Sequence, residues 1–267
     1  MNLVVGMATN YTAADLRNFI LSFKRHQSGA ILLFLKGNDA DTRDWLRQQG
    51  VMTVDTALEL DPDLARHFAM KELVPLYPEV TRFFHCDVRD AVAQGDIFAQ
   101  LPEPGLHVFQ EDATVSLGGN KAQTAWIASA YDKRTADQYR DGSVICAGTT
   151  LGDRESFMIY LDSMTRECRH CLERENPPDV TTKIWDQAFH LHLVYSGLLK
   201  RKLEAAGKRL HCHENGIGVF TVARAQEISV NKAFQVVRPG MAVPAVVHQY
   251  DRFEFLQEMV DTLHAGD

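Results

Sequence analysis

Positive charge is in short supply in this chain. Against 35 Asp and Glu it carries 28 Lys and Arg, a formal net charge of −7, so no global field draws it to nucleic acid or acidic lipid. An anionic substrate has to be held by local devices: a metal, a helix N-terminus or a few placed cations. Long apolar runs are missing too, and stretches such as 30–35 are far too short to cross a bilayer. Five cysteines, an odd number, argue against a full disulfide framework. The opening Met-Asn-Leu-Val-Val-Gly reads as a strand rather than a signal peptide. The expectation is a cytoplasmic protein without a transmembrane segment, associated with a membrane at most peripherally. Neither Gly-x-x-x-x-Gly-Lys nor a proper Gly-x-Gly-x-x-Gly occurs, which speaks against a P-loop enzyme and an ordinary dehydrogenase. Repeats, low-complexity stretches and long linkers are also lacking, so residues 1–267 are read as one domain.

What is present is the composition and rhythm of an α/β protein. The apolar fraction is 45%, normal for a packed core. The first half alternates short apolar runs with helical patterns, the signature of a largely parallel sheet wrapped by helices. Strands are predicted at 2–7, 30–35, 51–54, 81–86 and 106–110. The first helix opens at Thr12 with Asp15 at capping-box spacing, and Leu16, Phe19, Ile20 and Phe23 form its buried face. Helices are also expected at 42–49, from about 63 to a break near Pro75, and at 121–131. Later come a strand at 143–146, a long helix at 153–172 and helices at 181–195 and 198–206. Short strands at 209–211, 219–222 and 245–249 and a last helix at 251–264 complete the reading.

The strongest chemical signal is His85-Cys86-Asp87-Val88-Arg89-Asp90. A parallel sheet gathers its ligands at the carboxyl ends of strands, and Asp87 falls at such an end. Two carboxylates three residues apart, leaving a strand in a turn, suit Mg²⁺ or Mn²⁺ bridging a diphosphate. A helix-capping aspartate plus surface charges is the bland alternative.

The chain resembles a GT-A-fold glycosyltransferase, loosely similar to glycosyltransferase family 8 and to bacterial polysaccharide-assembly transferases. The resemblance rests on the opening strand with Thr9-Asn10-Tyr11; on Lys71, Pro75 and Tyr77 leading to the Asp87–Asp90 motif; on the run from Ser143 through Gly148 to Leu151-Gly152; on Asp186-Gln187; and on the late His248. It departs from the family in having Asp-Val-Arg-Asp for Asp-x-Asp, Cys146 for a commoner asparagine, and no Gly-Leu-Lys after His248.

The resemblance implies a Rossmann-like, mostly parallel central sheet flanked by helices. It also implies a metal-dependent enzyme, with Mn²⁺ or Mg²⁺, that moves a sugar from a nucleoside-diphosphate donor to a glycan or lipid-linked acceptor, alone or within a larger transferase. Asp90 is then the better metal ligand, with Asp87 a second ligand or a ribose and metal-water partner, and His248 completes the site or is a half-buried strand histidine. Thr9, Asn10, Tyr11, Lys71, Arg89 and Gly148 border the donor, although Arg89 also neutralises its aspartate neighbours and Lys71 reads equally as a solvated helix lysine. Asp186 stands at the reacting centre, holding the acceptor hydroxyl or stabilising positive charge on the sugar; Glu111 and Asp112 are the rival acid–base pair.

Other chemistries compete. A nucleotidyltransferase would share the sheet and carboxylates but should carry a Gly-rich basic loop after its first strand, of which Gly6-Met7-Ala8-Thr9-Asn10 is a poor version. A catalytically dead binding domain would keep the fold without turnover. Cys168-Arg-His-Cys171 and His211-Cys212-His213 read as a zinc site of an interaction module. Against zinc, Phe157, Leu161, Met164, Cys168 and Cys171 share one helical stripe, so both cysteines are expected in the core.

Overall fold

The opening strand β1 (Asn2–Thr9) and the helix α1 (Ala13–His26) set the pattern of the whole chain. Thr12 caps α1 with both halves of a capping box: its hydroxyl accepts from the Asp15 N–H at 3.3 Å, and the Asp15 carboxylate accepts from the Thr12 N–H at 2.8 Å. A cap of this kind is worth about 1 kcal/mol. β2 (Ala30–Lys36), α2 (Ala40–Gln48), β3 (Met52–Asp55) and α3 (Pro62–Leu73) continue the alternation, followed by β4 (Arg82–Cys86), β5 (Ala91–Ala93), α4 (Ile97–Gln100) and β6 (Leu106–Ser116). α5 (Lys121–Ala130) and α6 (Lys133–Tyr139) lead into β7 (Ser143–Asp153), α7 (Arg154–Leu172), α8 (Trp185–Tyr195) and α9 (Leu198–Ala205). The remainder is β8 (Leu210–His213), β9 (Val219–Thr221), β10 (Ser229–Val230), β11 (Val236–Val237), β12 (Val246–His248) and α10 (Glu254–His264). The computed structural model describes residues 1–174, 185–223, 225 and 227–264. The start predicted at 181 for the helix of α8 lies outside them.

The main sheet runs β3-β2-β1-β4-β7-β6-β8. β3, β2, β1 and β4 are parallel neighbours, β8 is parallel to β6, and β7 runs antiparallel to both β4 and β6. The sheet is therefore mixed. α5 and α6 return the chain at the end of the sheet where β6 leaves it, pairing Ser116 with Ser143, so no crossover carries β7 into the common direction.

Strand alternation feeds two cores. Leu3, Val5, Leu32, Phe83 and Val108 pack on one face with residues of α3, α5, α7, α8 and α9. Val4, Ile31, Leu33, Phe84 and Phe109 pack on the other with α1 and α4. Strands buried on both faces read as continuous apolar runs, which is why the first strands are visible in the sequence. Each fully buried Phe or Leu contributes roughly 1.5–3 kcal/mol.

A second, three-stranded sheet, β5-β12-β9, sits beside the first. Val92, Phe220 and Val247 from its strands share a small core with Tyr250, Leu256 and Val260. α10 is tied to α1: the Arg17 guanidinium donates to the His264 carbonyl at 3.0 Å, and the Asn18 amide donates to Asp261 at 2.6 Å. Among the described residues no helix is long and apolar enough to cross a membrane.

β6 and β7 are much longer than the strands predicted at 106–110 and 143–146. Gly148, Gly152 and the polar Thr149 and Thr150 interrupt the apolar pattern, yet pairing with β4 on one side and β6 on the other carries β7 through them. β5, α4 and α6 are too short to leave a periodic signal.

Candidate metal centre and its cavities

Three chain segments bring carboxylates and an imidazole together. Asp87 follows the carboxyl end of β4, and its N–H donates to the Gly148 carbonyl on β7 at 2.9 Å. Gly148 allows this approach, because a Cβ there would fall on the Asp87 carboxylate and lie 3.1 Å from His248 Cε1. Asp90 immediately precedes β5. The ladder pairs Ala91 with His248, and the Gln249 N–H donates to the Asp90 carbonyl at 2.6 Å, so the last residue of β12 is registered against Asp90. One ligand atom from each of Asp87, Asp90 and His248 lies within 4.8 Å of the others.

His248 is fully buried and its ring is steered from behind. Nδ1 lies 3.5 Å from Thr221 Oγ1 on the adjacent β9 and 3.6 Å from Cys146 Sγ on β7. Nε2 is left facing Asp87 Oδ2 at 3.3 Å and Asp90 Oδ1 at 3.5 Å. Those distances are within reach, yet Nε2 makes no hydrogen bond of acceptable direction. Burial disfavours the imidazolium, but Cys146, Asp90 and Asp87 outweigh it and hold the His248 pKa well above the ordinary histidine range. Two hard oxygens and one borderline nitrogen aimed at one point fit a divalent cation such as Mn²⁺ or Mg²⁺. A second-layer partner on the far ring nitrogen is what a histidine ligand ordinarily has.

Arg66, on α3, organises the other side. Its guanidinium bonds both Asp87 and Asp186, and it is itself almost completely buried. Burial works against ionisation of Asp87 and Asp186, yet Arg66, joined by His248 and His85 at Asp87 and by His67 at Asp186, outweighs it and keeps both pKa values below the usual carboxylate range. Asp186 is 1% exposed; its other oxygen accepts the Gln187 N–H at 2.7 Å, and His67 stands 4.0 Å away. Gln187 accepts from the Ala147 N–H at 2.9 Å and donates to the Ile145 carbonyl at 2.7 Å, which locks α8 to the stretch of β7 that leads to Gly148.

Two cavities meet at this centre. One, of about 420 Å³, is bordered by Thr9, Tyr11, Arg89 and Asp61. The other, of about 550 Å³, is bordered by Glu111, Gln123, Trp126, Gly148 and Asp186. Asp63, Arg66, Asp87, Asp90 and Arg252 line both.

Most of the residues singled out in the sequence therefore gather here, with three corrections. Lys71 lies on a different surface, paired with Asp162 at 2.5 Å. It sits on the same helix as Arg66 but five positions on, which turns it to another side. Asp112 is separated from Glu111 because neighbouring strand residues face opposite ways: it borders another cavity and accepts from the Thr114 N–H at 2.7 Å. Asn10 is a turn residue with φ 55°, its N–H bonded to the Lys36 carbonyl at 2.8 Å, and does not border either cavity. Arg89 borders the smaller cavity and pairs with Asp251 at 3.1 Å.

No signal in the sequence points to Arg66. Its Asp-Pro-Asp-Leu-Ala-Arg setting resembles any helix start, and only the tertiary fold reveals two buried carboxylates waiting for it. Cys168 and Cys171 are buried in the core as their stripe implies. No group of converging metal-binding side chains other than Asp87, Asp90 and His248 occurs among the described residues. No model of a known protein family matches the chain, and no curated protein matches it.

Proposed function

We propose that this chain is a metal-dependent glycosyltransferase that takes a sugar from a nucleoside diphosphate and delivers it to a hydroxyl acceptor. The observation that carries the reading is the position of the Asp87, Asp90 and His248 group, at the carboxyl end of parallel strands and at the junction of two cavities. Crevices outside those strand ends are where α/β sheets receive nucleotides. A reaction of two substrates needs two compartments sharing one reacting centre.

The smaller cavity, beside Thr9 and Tyr11, takes the nucleotide, and the larger takes the sugar and the acceptor. When bound to Asp87, Asp90 and His248, Mn²⁺ or Mg²⁺ supplies neutralisation of the diphosphate that departs. During transfer the acceptor oxygen bonds to the anomeric carbon, the bond from that carbon to the diphosphate oxygen breaks, and its electron pair leaves with the diphosphate. Asp186, kept ionised by Arg66, is placed to stabilise the positive charge that grows on the sugar rather than to take up a proton. Glu111, on the wall of the larger cavity, receives the proton of the acceptor hydroxyl.

A thermal-shift titration with UDP, GDP, CDP and ADP, each with and without Mn²⁺, tests the reading. One diphosphate at a hundred times its Kd should add about 2.7 kcal/mol of stability, and only in the presence of the cation. If no nucleoside diphosphate stabilises the protein with any divalent cation, the proposal fails.

A further inference from the structure

A third cavity, of about 740 Å³, shares no lining residue with the two that meet at the metal centre. Its walls come from α3, α7 and α9, which give it Lys71, Arg166, Arg169 and Lys202 as cations and Asp162 and Glu173 as carboxylates. Asp162, Arg166 and Arg169 succeed one another at steps of four and three and so share one face of α7. The carboxylates do not balance the cations. Asp162 is taken by Lys71, 2.5 Å away. Among the described residues Arg166, Arg169 and Lys202 enter no ion pair; Arg169 lies over the Phe68 ring, 5.4 Å from its centroid. Lys202 is half-buried, and its ammonium donates to a neutral acceptor, the Ser163 hydroxyl, at 2.9 Å. Burial first and the charge of Arg166 second pull its pKa below the ordinary lysine value, and Glu167 and Asp162 do not offset them. Glu167 itself is engaged by the Tyr131 hydroxyl at 2.8 Å. Like charges are thus held together, partly out of water, in a chain whose net charge is −7. That arrangement is costly without a counter-ion and is relieved by an anion.

We propose that this cavity is an anion site separate from the metal centre, and that the group it takes is a phosphomonoester. A guanidinium presents a planar fork that engages two phosphate oxygens at once, and an ammonium adds a point charge. Three oxygens on one phosphorus let cations from different helices share a single group, which a flat carboxylate with two oxygens does less well. Four cations against two carboxylates leave an excess of two positive charges, and a phosphomonoester carries close to two negative ones at neutral pH. Side chains here supply the charge that a divalent cation supplies in the proposed metal centre, so the site needs no metal. A soluble sugar phosphate and the headgroup of phosphatidic acid offer the same chemistry, and the test separates them.

The test uses the full chain in EDTA at low ionic strength. Glucose 6-phosphate is the soluble probe, with glucose and glucuronate for comparison, and binding is read by calorimetry. Phosphatidylcholine vesicles with and without phosphatidic acid are the lipid probe, read by flotation. Glucose 6-phosphate or the phosphatidic acid vesicles should bind, and glucose and plain vesicles should not; which of the two binds assigns the group to a soluble ester or to a lipid. Arg166→Ala and Lys202→Met should each raise the Kd of the binding probe at least tenfold, with the circular dichroism of the parent retained. Lys200→Ala removes an exposed cation of α9 that is paired with Glu204 and does not line the cavity, and it should change the Kd less than twofold. The inference is overturned if neither phosphate probe binds, or if glucuronate binds as tightly as glucose 6-phosphate. It is equally overturned if the two cavity variants keep the parent Kd, or if Lys200→Ala weakens binding as much as they do, the mark of a diffuse charge effect. Failure of the transferase reading is a separate result, because that reading requires a divalent cation and this titration contains none.

Discussion

At the scale of single residues, Arg66 joins the candidate metal centre to Asp186. One guanidinium serves both Asp87, in the candidate metal centre, and Asp186, and it is the largest single influence that keeps the two carboxylates ionised in a buried setting. Arg66→Ala leaves Asp186 without its countercharge, and removing one partner of such a buried pair typically costs about 3–5 kcal/mol. Chemical denaturation should register a loss of that size, and Arg66→Lys should recover only part of it because an ammonium has no planar fork to span two carboxylates. An unchanged midpoint in Arg66→Ala would contradict the buried-pair account. Asp90 behaves differently. Asp90→Ala should abolish Mn²⁺-dependent stabilisation by a nucleoside diphosphate, and Asp90→Asn should be nearly as damaging, because the lost charge matters more than the lost oxygen. Calorimetric titration of Mn²⁺ with diphosphate present is the check; normal binding by both variants would remove Asp90 from the metal site. Asp186→Asn should leave nucleotide binding intact and lower turnover by orders of magnitude, a split between Kd and kcat that rapid-mixing transfer assays can resolve.

At the scale of elements, the centre exists because strands from two sheets are held in register. β4 delivers Asp87, β5 follows Asp90 and β12 ends in His248, while Asn215 binds the Glu111 and Thr221 carbonyls and so ties β6 of the main sheet to β9 of the small one. β7 passes beneath this junction, and Gly148 is the point of closest approach. Gly148→Ala should push Asp87 away from His248. Mn²⁺ affinity should fall at least tenfold while the far-ultraviolet circular dichroism stays that of the parent; unaltered affinity would mean that β7 does not set the geometry. The capped first helix and the first strands were legible in the sequence because local signals, a capping box and continuous apolar runs, are sufficient for them. The full length of β7 was not legible, since its threonines and glycines carry no strand signal and only neighbours on both sides draw them into the sheet. Nor did adjacent Glu111 and Asp112 reveal that the strand would send them to different cavities.

At the scale of the whole molecule, buried histidines set the response to acid. Burial lowers the pKa of His67 and His85, and lowers those of His107 and His190 to about 4 and about 3. A histidine kept neutral by folding contributes stability that is complete above its unfolded pKa of about 6.5. That contribution is lost as pH falls toward the folded value, because the unfolded chain takes up the proton first. His248 has the opposite sign: in metal-free protein its raised pKa contributes stability fully present below pH 6.5 and lost as pH rises above it. Metal-free protein should therefore be most stable near neutral pH. Its unfolding free energy should drop between pH 6.5 and 4 with a slope steeper than the roughly 1.4 kcal/mol per pH unit of a single proton. Denaturation at a series of pH values gives that slope directly, and a flat profile in this window would show that the buried histidines are protonated in the native state.

Local physics was enough for the sequence by itself to determine an α/β chain, its first strands and helices, and the arrival of Asp87 at a strand end. Those features depend on periodicity, capping and turn chemistry within a few residues. The tertiary structure alone decided that the sheet is mixed, that Arg66 rather than Lys71 stands beside Asp87, and that Glu111 and Asp112 part company. It also decided that His248 stands against Asp87 and Asp90. Each of these rests on pairing between segments far apart in the chain, where burial and register choose which side chains meet and no local pattern records the choice.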